Sequence, residues 1–232
     1  MLALLAIATT AGAQENSVNG HEYVDLGLPS GLLWATCNVG ATKPEECGAY
    51  FAWGETTAKK DYSWETYKWG TEDNLIKYTD SDGLTELEAE YDAATVKWKG
   101  GWRMPTIDEI KELLDNTTNK WVADGVGGRL FTSKANGNSI FLPASGIYIG
   151  TYLASKGSIS FYWSSVLGAD NTAAYGLSSG KGGTSSKGDR RSNGGGVRPV
   201  ISKEDVTTGI DRPTPNPSLN GGRVGTPSTA NG

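Results

Sequence analysis

The sequence predicts an α+β fold in which two short helices pack on small twisted antiparallel sheets, with long glycine-rich loops between them. Three observations carry this expectation. Thr85 with Glu88, and Thr106 with Glu109, each stand in the T-x-x-E capping relation ahead of a short apolar stripe. The chain holds 32 glycines in 232 residues, roughly twice the ordinary share, which suits tight turns better than a helical bundle. Past Asp115 the apolar residues come only in short runs separated by Gly, Asn, Ser and Thr, the punctuation of strands and loops.

Taken in chain order, residues 20–39 read as a hairpin broken by Gly27, Pro29 and Gly31, with Leu26, Leu28, Leu32, Leu33 and Trp34 as its apolar side. Residues 50–54 read as an apolar strand containing Phe51 and Trp53. Tyr62, Trp64, Tyr67 and Trp69 follow with a spacing closer to two than to 3.6, so residues 61–70 are expected to be extended. The first helix begins at Thr85 and buries Leu87, Tyr91 and Ala94; the second begins at Thr106 and buries Ile107, Ile110, Leu113 and Leu114. Between them, residues 98–104 form a turn into a brief strand whose Trp98 and Trp102 are core. Residues 139–142, 146–149, 162–165 and 197–200 are further strands. Pro213, Pro215 and Pro217 sit among Thr, Asn and Ser, a tail composition. One globular domain over 20–203 and a Pro/Gly/Ser/Thr-rich tail over 204–232 follow from this.

Eight tryptophans, ten tyrosines and 37% hydrophobic residues supply a real core. The net charge of -5, with Lys and Arg scattered among acids, gives no footprint for a phosphate backbone, so nucleic acid is excluded as a partner. Met1 to Ala13 is an apolar run ending Ala11-Gly12-Ala13, the pattern of a cleaved signal peptide, with 14–19 as a short linker. The run lacks a leading Lys or Arg, which places the true start upstream. No cysteine follows the cleavage site to take a lipid, and no later run is long enough for a membrane span. Cys37 and Cys47 either close a disulfide loop, worth about 2 to 3 kcal/mol, or pack as two small hydrophobes; their spacing is neither a zinc knuckle nor C-x-x-C.

Several segments together resemble one family: residues 24–40 (VDLGLPSGLLWATCNVG), 50–55 (YFAWGE), 101–106 (GWRMPT), 161–165 (FYWSS) and 196–200 (GVRPV). They are similar to the Fibrobacter succinogenes major paralogous domain and its relatives among secreted Bacteroidetes proteins. The resemblance implies a C-type-lectin-like fold with loops gathered at one end. Relatives of that fold include formylglycine-generating oxidases and retroelement-diversified variable receptors, so the fold alone does not choose between enzyme and binder. Residues 218–224 resemble the start of a type IX secretion sorting segment, degenerate at Gly222 or truncated. This implies a secreted or outer-surface protein, or a periplasmic one if that segment does not work.

An enzyme is the least favoured reading. The single histidine, His21, sits at a strand end, and no G-x-S-x-G, H-E-x-x-H or phosphate loop occurs. Formylglycine-generating oxidases use a reactive cysteine pair late in the domain, whereas both cysteines here are early. Ser164 and Ser165 follow Trp163 where calcium-binding lectins carry Asn and Asp, so no metal and no cofactor are expected.

The favoured reading is a non-enzymatic module for an extracellular glycan or protein. Its contact groups would be Asp170, Asn171, Tyr175, Lys181, Lys187, Asp189, Arg190, Arg191 and Asn193, on the glycine-rich segment 168–198. The alternative is that this segment is an ordinary surface loop; another is that its small residues mark retroelement diversification. Trp64, Tyr67 and Trp69 are either sugar-stacking residues or core, while Trp53 is assigned to the core. A structural or adhesin-type component with no small ligand is the remaining class.

Overall fold

The computed structural model of the protein describes residues 16–123 and 125–208. The signal peptide at 1–13, residues 14 and 15 of the linker, and residues 209–232 of the tail lie outside the described residues. The fold is α+β and mainly β, built of small antiparallel sheets with a few short helices.

A four-stranded sheet orders as β1 (Ser17–Val18), β2 (His21–Asp25), β3 (Leu33–Ala35) and β14 (Val200–Ile201), so strands from both ends of the chain lie side by side. The pairing of β2 with β3, Val24 opposite Trp34, is the expected hairpin. Ser17 and Val18, read from sequence as linker, form its edge strand. A second sheet is β6 (Thr117–Val122), β7 (Gly128–Ser133) and β8 (Ser139–Pro143); a third is β11 (Ile159–Leu167), β12 (Ala173–Gly180) and β13 (Gly183–Arg190). Two short hairpins complete the set, β4 (Gly70–Thr71) with β5 (Asn74–Leu75), and β9 (Ile147–Ile149) with β10 (Tyr152–Ala154).

Strand periodicity explains how the third sheet divides the interior. Phe161 and Trp163 of β11 face one apolar cluster with Leu33, Phe51, Trp53, Trp102 and Val197. Tyr162, between them, faces a second with Trp34, Ile110, Leu113, Phe131, Leu142 and Leu177. Residues 194–196 thread between three elements: Gly194 pairs with Tyr148, Gly195 with Phe51, and Gly196 in parallel with β11, where Trp163 N–H donates to the Gly196 carbonyl at 3.0 Å. This close approach requires glycine: a Cβ at Gly195 would meet the Trp163 indole.

Of the two expected helices, α2 (Ile107–Asn116) has its complete capping box, the Thr106 hydroxyl accepting from Glu109 N–H and the Glu109 carboxylate from Thr106 N–H. The first starts later than Thr85. Thr85 and Leu87 are instead extended against β11, through Leu167 N–H to Thr85 O at 2.8 Å and Leu87 N–H to Ser165 O at 2.8 Å. After a 3₁₀ turn at Ala89–Tyr91, helix α1 covers Ala93–Trp98 and is capped by Asp92, whose buried carboxylate accepts from Ala94, Thr95 and Met104 N–H. Pairing with a distant strand outweighs the local capping signal. A third helix, α3, spans Lys203–Thr208. Among the described residues no helix is long and apolar enough to cross a membrane.

Two further expectations change. The segment 61–70 is not a continuous extended strand: Trp64–Thr66 is a 3₁₀ turn, set by Asp61, whose side chain accepts from Ser63 N–H at 3.0 Å and whose carbonyl accepts from the Thr66 hydroxyl at 2.7 Å. The glycine-rich segment 168–198 is not a loop, because most of it forms the β12–β13 hairpin, paired from Ala173 opposite Arg190 to Gly180 opposite Gly183. Cys37 and Cys47 are both free and half-buried, each with its own neighbour: Cys37 lies 3.5 Å from the Thr36 hydroxyl, and the Cys47 thiol sits beside the Tyr50 phenol.

Candidate functional site

The β12–β13 hairpin gathers most of the residues expected to contact a ligand, and its two ends are built on different principles. At its base, Asp170 organises the turn into β12 by accepting from Thr172 N–H at 2.8 Å and from the Thr172 hydroxyl at 2.6 Å. Those bonds favour the charged carboxylate and hold its pKa below the ordinary value. At the other strand, Asp189 accepts from Arg190 N–H at 2.8 Å and from the Asn193 amide at 2.7 Å.

Arg191, expected on the surface, is fully buried, 0% exposed. Its guanidinium donates to the Tyr67 hydroxyl at 2.9 Å and to the carbonyls of Tyr78, Asn171 and Lys77 at 3.0, 2.8 and 2.8 Å. The indole of Trp53 lies 5.1 Å from it. Four of its five N–H donors are therefore spent inside the protein, and Arg191, fully buried, is a strut rather than a contact residue. Asn193 is buried with it. Arg190, one residue earlier, points outward and lies 3.5 Å from Glu72 at the β4–β5 turn.

The strut draws the aromatic segment under the hairpin base. Tyr67 is buried and donates to the Trp53 carbonyl at 2.7 Å; burial pushes its phenol well above the ordinary value, against the pull of Arg191. Trp69 is buried too, its indole N–H donating to Gly54 O at 2.9 Å. Neither offers a free face for a sugar ring, which corrects the stacking expectation for both. Trp64 remains half-exposed, packed edge-on against Tyr67 at 5.3 Å.

The far end of the hairpin is open. Lys181, Gly182 and Gly183 turn the chain in solvent, and the tip borders a shallow groove of about 510 Å³ whose lining includes Ser158, Ile159, Ser178, Lys181, Thr184 and Ser185. Ile159 is 42% exposed there. Behind the groove stands Arg129 on the inner face of β7, 6% exposed, donating to the Asn119 side-chain oxygen at 2.7 Å and to the carbonyl of Gly180. Among the described residues it has no carboxylate partner, its Nε is buried without a hydrogen bond, and burial lowers its pKa. Lys187 is exposed along β13, opposite Gly176, and Tyr175 is half-buried on β12.

Thus Asp170, Lys181, Lys187 and Arg190 are presented to solvent, Asn171, Tyr175 and Asp189 are half-buried, and Arg191 and Asn193 are interior. Ser158, Ile159 and Arg129 join the site from elsewhere in the chain. Of these only Arg129 left a trace in the sequence, as an arginine in alternation with Phe131 and Ser133 on one strand face. His21 lies apart, stacked flat on Trp98 with ring centroids 3.7 Å apart. No group of three or more His, Cys, Asp or Glu positioned for a metal ion occurs among the described residues. Compared with protein-family models, with curated proteins and with solved structures, the chain matches none of them.

Proposed function

We propose that the protein is an exported, non-enzymatic ligand-binding module of C-type-lectin-like fold, akin to the Fibrobacter succinogenes major paralogous domain, and that its ligand face is the β12–β13 hairpin. One observation carries this reading: a fully registered hairpin, rich in small residues, is locked at its base by a buried arginine and left open at its tip around a groove. A rigid display of that kind lowers the ordering cost of binding, because the backbone is already fixed before the ligand arrives. The ligand is an extracellular glycan or protein, and the apolar leader at 1–13 directs the chain out of the cytoplasm.

The test is a glycan and protein array probed with the full chain and with two variants. Lys181→Ala combined with Lys187→Ala removes most captured signal, whereas Trp64→Ala leaves it. The reverse pattern moves the ligand face to the aromatic segment, and an array with no captured ligand ends the proposal. Cell fractionation reports the location independently.

A further inference from the structure

The charge of this molecule is unevenly distributed. Residues 61–92, which include the aromatic segment beneath the hairpin base, hold ten acids (Asp61, Glu65, Glu72, Asp73, Asp80, Asp82, Glu86, Glu88, Glu90, Asp92) against Lys68 and Lys77, a balance of -8. Residues 116–169 hold Lys120, Arg129, Lys134 and Lys156 against Asp124 alone, a balance of +3 in a chain whose total is -5. The groove at the hairpin tip is built partly from this second stretch, through Ser158 and Ile159, and no carboxylate lines it.

We propose that this groove binds an acidic saccharide, a sugar chain bearing carboxylate or sulfate groups, with Lys181 and Arg129 as the cationic side of the site. The inference rests on the binding-module reading and names the ligand class of its face. The parts match that chemistry one by one. Ile159, 42% exposed, offers apolar surface against which the C–H face of a sugar ring can pack. Ser158, Ser178, Thr184 and Ser185 line the groove with it, hydroxyl-bearing residues of the kind that donate to and accept from ring hydroxyls. Lys181 stands at the solvent rim, where an ammonium on a flexible stem can follow an anion.

Arg129 acts from behind the wall. Its guanidinium donates to the carbonyl of Gly180, itself part of the groove, and carries a charge that no described carboxylate neutralises. A cation in a poorly solvated position is screened less than one in water, so its field reaches the groove and favours a negative ligand there. The excess of acids in residues 61–92, among them Glu72 beside Arg190 at the hairpin base, leaves the tip as the less negative end of the hairpin for the same ligand.

The experiment titrates the full-length protein with oligomers of polygalacturonate, with their methyl-esterified counterparts, with dextran sulfate and with plain dextran. At least one acidic chain is expected to bind about tenfold or more tightly than its neutral counterpart, with affinity falling as salt rises from about 0.05 to about 0.5 M. The uronate and sulfate arms separate the two sources of the anion. Lys181→Glu is expected to weaken acidic binding about fivefold or more without changing thermal stability; Ser185→Trp, which fills the groove, abolishes it. Equal affinity for acidic and neutral chains, or acidic binding indifferent to both substitutions, overturns the proposal. If a protein or neutral glycan binds the hairpin and acidic saccharides do not, the ligand class is wrong and the binding-module reading stands; if nothing binds in either experiment, both fall.

Discussion

The two ends of the β12–β13 hairpin use arginine in opposite ways. At the base, all three nitrogens of Arg191 donate to carbonyls or a phenol and its guanidinium lies against aromatic rings, so the fully buried side chain is out of a ligand's reach. At the tip, Arg129 is nearly as buried but incompletely satisfied, with an unpartnered Nε and only a side-chain amide oxygen and one backbone carbonyl as acceptors. The first arrangement fixes geometry; the second leaves electrostatic potential beside open space. A binding surface needs both, and here they sit at the two ends of one supersecondary unit.

The contrast breaks most visibly at Arg191. Arg191→Leu leaves the carbonyls of Lys77, Tyr78 and Asn171 and the Tyr67 hydroxyl without their donor in the interior, and is expected to cost about 3 to 5 kcal/mol, measured by urea unfolding. A cost below about 1 kcal/mol would show that the strut carries little. Glycines sharpen the same contrast at smaller scale. A Cβ at Gly176 would run into the Tyr162 carbonyl and the Phe161 ring, so Gly176→Ala is expected to cost about 1 to 3 kcal/mol. At the tip, a Cβ at Gly182 meets nothing within 4 Å.

Between these lies the capped helix. Glu109 is partly buried, which by itself raises its pKa, but the bidentate bonds from Arg103 at 2.7 and 2.5 Å and the Thr106 contacts prevail and hold it below the ordinary 4.5. The carboxylate therefore stabilises the fold above the unfolded-state pKa, and that contribution disappears as pH falls through the lower folded-state value. Glu109→Gln should lower stability at neutral pH by about 1 kcal/mol, a figure discounted because Arg103 is 38% exposed, and should flatten the acid limb of a Tm-versus-pH curve. An unchanged acid limb would assign it to other carboxylates. The smallest effect is expected for Gly182→Ala, within about 0.5 kcal/mol.

How much of this was legible in the sequence follows from the range of each interaction. Helix α2 was readable because Thr106, Glu109, Ile110 and Leu113 encode its start and its buried face within a few residues. Helix α1 was misplaced because the signal at Thr85 is local, while the hydrogen bonds that hold Thr85 and Leu87 extended come from Ser165 and Leu167. The hairpin was hidden by composition: Ala174, Gly176 and Ser179 are all buried, yet none is apolar enough to show strand alternation. Arg190 and Arg191 are chemically identical in sequence, and only the alternation of a strand end sends one outward and the other in. Lys181 was found because it stands in the glycine-rich segment, whereas Ser158 and Ile159 reach the groove only through the β11–β12 pairing of Ile159 with Gly180.

The side-by-side placement of β3 and β14 has a mechanical consequence. Asn19 packs against Gly100 and Asp205 against Gly101, so the chain enters and leaves the described fold beside a single turn. A domain with neighbouring termini can be spliced into a surface loop of a host protein, or strung in series, without stretching its interior. Tension applied through both ends would load the short four-stranded ladder of β1, β2, β3 and β14 first, leaving the hairpin slack until that ladder tears.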